Sequence, residues 1–216
     1  PKWMQGVTER AKHLRETTDC FISMRMVSSH GPFQTACDLR GVENFLIDMS
    51  LNADFAIELL TRIADLQCGL LEEAMKAGGE YFDMIELPGD DYASNKGLLF
   101  SPKMFRKLIK PFIARYVDTI RKHNPNIKIM LHSDGLITKL LDDFIDIGID
   151  VVHPLEPLNG LDHAAIKAEY GKKLSFLGAI DISHAMPGSK EDVINEVRTR
   201  ISELAPGGGY ILAPSN

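Results

Sequence analysis

His132, Ser133 and Asp134 follow directly on a short apolar run, Ile127, Ile129, Met130 and Leu131, and Gly135 comes next. In extended backbone, residues two apart project to the same side, so an imidazole and a carboxylate leave the chain together here. Such a pair can share a metal ion or a proton. It can equally hydrogen-bond within itself and cap a following helix. Other polar residues stand in the same position, just past a short apolar run: His30, Asp90 with Asp91, His153 with Glu156, Asp181, and Ser215.

The runs that present these residues have the length and β-branched content of buried strands. They lie near 21–27, 82–87, 127–132, 150–153, 174–180 and 209–213. Helical patterns alternate with them. Residues 2–16 and 41–52 read as helices, and Phe55, Leu59, Ile63, Leu66, Leu70 and Ala74 mark a long amphipathic helix over 53–76. Pro102 at a first helical position opens another, expected to bend at Pro111. Helices over 136–147, 162–170 and 190–204 follow, the last opened by Ser189 and Asp192 as a capping box. Strand–helix alternation at this spacing demands a parallel sheet with right-handed crossovers. In a (β/α)8 TIM barrel all strand exits open on one face, so one pocket could receive every polar residue named above. A doubly wound sheet is the rival, but no GxGxxG, P-loop or GxSxG occurs.

Between strand and helix, residues 88–101 form the longest unpatterned segment and carry Asp90, Asp91 and Tyr92. Such segments are lids or binding loops, or else solvated surface.

Composition sets limits on partners. With 216 residues, 44% hydrophobic and a net charge of -6, the chain is an α/β polypeptide of ordinary globular character. Nucleic acid and anionic membrane are poor partners for this charge. No apolar run reaches the ~18 residues of a transmembrane helix. Three widely spaced cysteines, Cys20, Cys37 and Cys68, read as free thiols of a cytoplasmic protein.

In order along the chain, SPKMFRKLIKPF (101–112), HSDG (132–135), GIDVVHPLEP (148–157), LGAIDI (177–182) and APGGGYILAPSN (205–216) resemble the uroporphyrinogen decarboxylase superfamily. Within it they resemble most the branch of zinc-dependent, corrinoid-linked methyltransferases, which serve coenzyme M methylation and O-demethylation. The resemblance implies one (β/α)8 domain over 1–216 with strands 3–8 present and two strands expected upstream. A family of this kind implies a metal-assisted methyltransferase acting between a small methylated substrate and a corrinoid protein that supplies cobalamin. Uroporphyrinogen decarboxylation and a non-catalytic binding paralogue are the alternatives, and a homodimer is a possible assembly.

The branch holds zinc through His-x-Cys and a later cysteine. Here His132 matches the histidine, Asp134 occupies the cysteine position, and the later one falls near Ser215. Zinc accepts carboxylate and imidazole, while loss of thiolate admits other divalent ions. The decarboxylases' Gly-His-Gly at the last strand is replaced by Ala213-Pro214-Ser215. On this resemblance His132, Asp134 and Glu86, with Glu156 as an alternative third, are the metal ligands. Asp134, Glu156 and Asp181 are the catalytic candidates, and Arg25, Asp90, Asp91, Tyr92 and His153 line the substrate side.

Overall fold

The computed structural model describes residues 1–25, 28–158 and 160–216. Six strands form one parallel sheet: β1 (Ser23–Arg25), β2 (Met84–Glu86), β5 (Lys128–His132), β6 (Val151–His153), β7 (Ser175–Ile180) and β8 (Tyr210–Pro214). Their order, β1-β2-β5-β6-β7-β8, follows the chain without reversal. A doubly wound sheet reverses at a switch point, so this is the strand order of a TIM barrel, and among the described residues the six strands with the helices between them make an α/β fold of that kind. Residues 26–27 of the expected first strand lie outside the described residues.

The chain divides into two compact units, residues 1–90 with 103–130, and residues 91–102 with 131–216. In the first unit, α1 (Gln5–Thr17), α2 (Pro32–Arg40), α3 (Val42–Leu51), α4 (Ala53–Gly78), α5 (Pro102–Leu108, from Lys103 on) and α6 (Lys110–His123) pack beside β1, β2 and the start of β5. The α4 stripe of Leu60, Ile63, Ala64, Leu71 and Ala74 is buried, as are Phe112, Ile113, Tyr116, Val117 and Ile120 on α6. At its centre the Tyr116 hydroxyl donates to Gln67 Oε1. The Gln67 amide in turn donates to His30 O at 2.9 Å and Ser28 Oγ at 3.0 Å. Burial pushes the Tyr116 hydroxyl well above the ordinary phenol range. The bend expected at Pro111 is a break, with α5 ending at Leu108 and Pro111 in the first turn of α6. Proline has no N–H to continue the ladder.

Beyond Gly31, residues Pro32–Arg40 form helix α2. Pro32 occupies a first-turn position, where its fixed φ favours helix. The α2 N-terminus has no side-chain cap of its own. Asp90 supplies one from afar: its Oδ2 accepts Phe33 N–H at 3.2 Å and its Oδ1 accepts Gln34 N–H at 2.6 Å. An ideal Cβ on Gly31 would stand 2.5 Å from Asp90 Cγ, so only glycine lets the carboxylate approach. Cys37, on the buried face of the same helix, has its thiol pushed up to about 12 by burial and by the nearby Asp90 and Asp38 carboxylates. It is a packing residue.

The second unit holds the end of β5, a hairpin of β3 (Ala93–Ser94) and β4 (Gly97–Leu98), α7 (Leu141–Asp146), α8 (His163–Tyr170), α9 (Lys190–Leu204) and strands β6–β8. The helix expected over 136–147 is shorter, a single 3-10 turn at Thr138–Leu140 running into α7. The capping box of Ser189 and Asp192 opens α9 as its sequence predicts. Among the described residues no helix is long and apolar enough to cross a membrane.

Between α8 and α9, His163 is buried to 2% exposure. Its Nε2 lies 3.0 Å from Leu155 O and its Nδ1 lies 2.7 Å from Arg200 Nη1. A carbonyl accepts and a guanidinium donates, so the imidazole is neutral with its proton on Nε2. Burial, helped by the Arg200 charge, holds its pKa below the ordinary 6.5, although the hydrogen bond to Leu155 O and the Glu203 and Glu196 carboxylates pull the other way. The unfolded chain therefore binds a proton near pH 6.5 that the folded chain refuses. The stabilisation is complete above that pH and is lost below it, by up to about 1.4 kcal/mol per pH unit. Urea unfolding at pH 7.5 and 5.5 should show this fall, and His163→Gln should remove that part of it. Equal slopes for the two proteins would show that His163 is protonated in the fold.

Candidate metal centre

At the end of β5 the alternation of the extended chain places His132 and Asp134 on one side and Ser133 on the other. Ser133 is fully buried, and its Oγ accepts Tyr92 N–H at 3.0 Å while its own N–H donates to His153 O at 3.0 Å. His132 Nε2 faces Asp134 Oδ1 at 3.7 Å and Asp91 Oδ1 at 3.9 Å. Asp91, His132 and Asp134 form a group whose ligand atoms all lie within 4.8 Å of one another.

Asp91 comes from the segment read as a lid. That segment has regular structure of its own. It carries the β3–β4 hairpin, and Tyr92 beside Asp91 is 1% exposed, its ring 6.4 Å from Phe100 and 6.3 Å from Phe144. Tyr92, expected on the substrate side, therefore anchors the hairpin in the core. Ala93 and Phe100 are buried with it. Asp91 Oδ1 accepts the Asp134 N–H at 2.7 Å, and Glu156 Oε2 accepts the Gly135 N–H at 2.6 Å. Two carboxylates thus pin consecutive amides of the turn. Gly135 completes it at φ +83, and a Cβ there would meet Ala93 C at 2.7 Å and Ser94 O at 2.8 Å. Gly135→Ala should therefore shift the hairpin and Asp91 with it, costing about 2–3 kcal/mol from overpacking and a left-handed backbone. Thermal unfolding checks this; an unchanged Tm would show that the hairpin yields freely.

The donor set fits a divalent ion. Among the described residues Asp134 Oδ1 is buried without a hydrogen-bond partner, which is costly for a carboxylate oxygen unless something cationic meets it. Donors about 2.1 Å from a tetrahedral zinc stand about 3.4 Å apart, and the two imidazole–carboxylate separations need to close by only a few tenths of an ångström. His153 orients the imidazole, its Nδ1 lying 2.7 Å from His132 Nδ1. One proton occupies that contact. When His132 carries it, the Nε2 lone pair faces the two carboxylates, the tautomer a metal requires. Asp134 Oδ2 accepts from the Asn216 side chain at 2.8 Å.

The remaining sequence candidates fall elsewhere. Asp90, at 2% exposure, spends both carboxylate oxygens on α2 amides, so it caps a helix and does not contact substrate. Glu86 pairs with the largely exposed Arg25 at 3.6 Å; the group of three is completed by Asp91, which the sequence reading had placed on the substrate side. His153 supports His132. Glu156 and Asp181 line a cavity of about 200 Å³ together with Asn95, Ser183, His184 and Ser215. Asp181 accepts the Ser183 and His184 N–H groups at 2.7 and 3.0 Å and meets His184 Nδ1 at 3.0 Å. Although partial burial opposes it, these contacts hold its carboxyl below the ordinary range. His184 was not singled out from the sequence, since it follows Asp181 in an unpatterned stretch. Asp181's position at a strand exit was the only available signal for it.

The uroporphyrinogen decarboxylase (URO-D) family model matches residues 4–216, and the chain belongs to that family. No curated protein matches. Among solved structures the chain is similar to GH10 from Paenibacillus barcinonensis, at 11% identity and TM-score 0.43 over 72% of this chain and 56% of that one. It is also similar to TsXylA, an intracellular xylanase from Thermoanaerobacterium saccharolyticum JW/SL-YS485, at 12% identity and TM-score 0.45 over 74% and 56%. The chain spans little more than half the length of these structures, and a likeness of this size bears on neither fold nor chemistry.

Proposed function

We propose that the protein transfers a methyl group between a small methylated substrate and a corrinoid protein, with a divalent metal held by His132, Asp134 and Asp91. One observation carries the reading: a buried, unpartnered Asp134 oxygen facing His132 Nε2 and grouped with Asp91. A bound ion would supply Lewis-acid polarisation of the heteroatom that bears the methyl group. The protein's own part is to orient. Ser133 and Glu156 fix the turn, His153 sets the His132 tautomer, and the hairpin carries Asp91.

A corrinoid partner would supply the nucleophilic electron pair for the new bond to methyl, and the substrate heteroatom would keep the pair of the carbon–heteroatom bond that breaks. On this reading His184, hydrogen-bonded to Asp181 at the cavity wall, would be the proton donor to a departing heteroatom. Decarboxylation of a tetrapyrrole suits the cavity less well. Its described lining holds Glu156 and Asp181 and neither lysine nor arginine, whereas a polycarboxylate needs cationic partners. The test is methylation of cob(I)alamin, followed by absorbance, with methanol, methylamines and methoxyarenes as donors. Formation of methylcobalamin by the wild type but not by His132→Ala is expected. Turnover of uroporphyrinogen without any methylcobalamin would overturn the reading.

A further inference from the structure

Two strand exits in the second unit hold backbone that ordinary residues avoid. Leu155, after β6, has φ 48, and Ala179, in β7, has φ 69. Left-handed backbone at a non-glycine residue brings Cβ too close to the neighbouring carbonyl and persists only where the surroundings impose it. Immediately beyond these residues stand Glu156 and Asp181, the two acids of the cavity.

One buried group reaches both exits. Arg200 of α9 lies 2.7 Å from His163 Nδ1 through Nη1, and His163 donates from Nε2 to the carbonyl of strained Leu155 at 3.0 Å. Arg200 Nε also stands 3.0 Å from Glu196 Oε1, a charge contact without hydrogen-bond alignment. That same Glu196 oxygen accepts the Asp181 N–H at 3.1 Å. Glu203 closes the set at 2.8 Å from Arg200. Arg200 and Glu196 are each only 13% exposed, so solvent screens the charges little and truncating one partner leaves the other buried and unpaired.

From this geometry we infer that Arg200 is a positioning residue, holding Glu156 through His163 and Leu155, and Asp181 through Glu196. It touches neither cavity nor triad. Its effect on the triad runs through Glu156, which accepts the Gly135 N–H beside Asp134. The positioning stands on these hydrogen bonds and on the Arg200–Glu196 ion pair. Its consequence for metal binding rests on the proposed function of the triad.

Two amides report the two arms, because each donates to a side chain: Gly135 to Glu156 and Asp181 to Glu196. Phe176 and Ile149, which donate to the backbone carbonyls of Gly209 and Phe144 at 2.9 and 3.0 Å, serve as references. Hydrogen exchange by NMR in Arg200→Met should accelerate about tenfold or more at Gly135 and Asp181 while the references keep their protection. His163→Leu should accelerate Gly135 alone, and His163→Gln, which keeps a donor and an acceptor, should restore it. Glu196→Gln should accelerate Asp181 alone, so the arms remain testable if Arg200→Met does not fold. Unchanged exchange at both amides, or equal acceleration at the references, would overturn the inference. Titration with Zn²⁺ adds the functional readout, with about tenfold weaker binding expected in Arg200→Met. Wild-type protein that binds no Zn²⁺ contradicts the metal reading and leaves the exchange result to decide the positioning.

Discussion

His132→Ala is expected to weaken divalent metal binding by at least about 100-fold, the upper end of what losing even an outer-shell partner costs. The imidazole is the only nitrogen donor in the group of three, and it faces both carboxylates. Its removal leaves two carboxylates that repel each other without a shared cation. Methyl transfer should fall with the metal, whereas the Ser133 and Glu156 hydrogen bonds that shape the turn stay in place, so Tm should move little. Asp134→Cys, which restores the thiolate of the family branch, should instead hold zinc more tightly. Equilibrium dialysis against buffered Zn²⁺ measures both variants. Equal affinity in His132→Ala and wild type would remove His132 from the ligand set.

Asp90→Ala should be the most destabilising single carboxylate loss, by about 2–4 kcal/mol. It strands two N–H groups of the α2 N-terminus, one buried and one part-buried, a buried one costing about 1–3 kcal/mol when unsatisfied. It also empties the space that Gly31 leaves open beside it. Asp91→Ala provides the contrast. That side chain is 42% exposed and caps one amide, so a loss of about 1 kcal/mol should accompany a large loss of metal affinity. Urea unfolding of the two variants separates the roles, and a larger loss for Asp91→Ala would reverse them.

These neighbours show where sequence reading stops. Both acids occupy one unpatterned stretch, and no local signal tells a helix cap from a ligand. Asp90's partners lie 56 and 57 residues away at Gln34 and Phe33, and Asp91's lie 41 and 43 away at His132 and Asp134. Elements set by local periodicity were legible: the strands, the long α4, and α9 with its capping box. The side-by-side placement of His132 and Asp134 was legible too, since a period of two fixes it. Helix α2 was hidden because Gly31-Pro32 signals a turn as readily as a helix start. The hairpin was hidden because two-residue strands leave no periodicity to detect. The relay from Arg200 to the strand exits joins four separate elements and had no sequence signature.

The central claim is that Asp91, His132 and Asp134 hold a divalent metal. Elemental analysis of protein purified without a metal-binding tag tests it most directly, with His132→Ala prepared in parallel. The expected result is close to one equivalent of zinc or another divalent ion in the wild type and almost none in the variant. Wild-type protein that carries no divalent metal and takes up none from buffered Zn²⁺ would contradict the account.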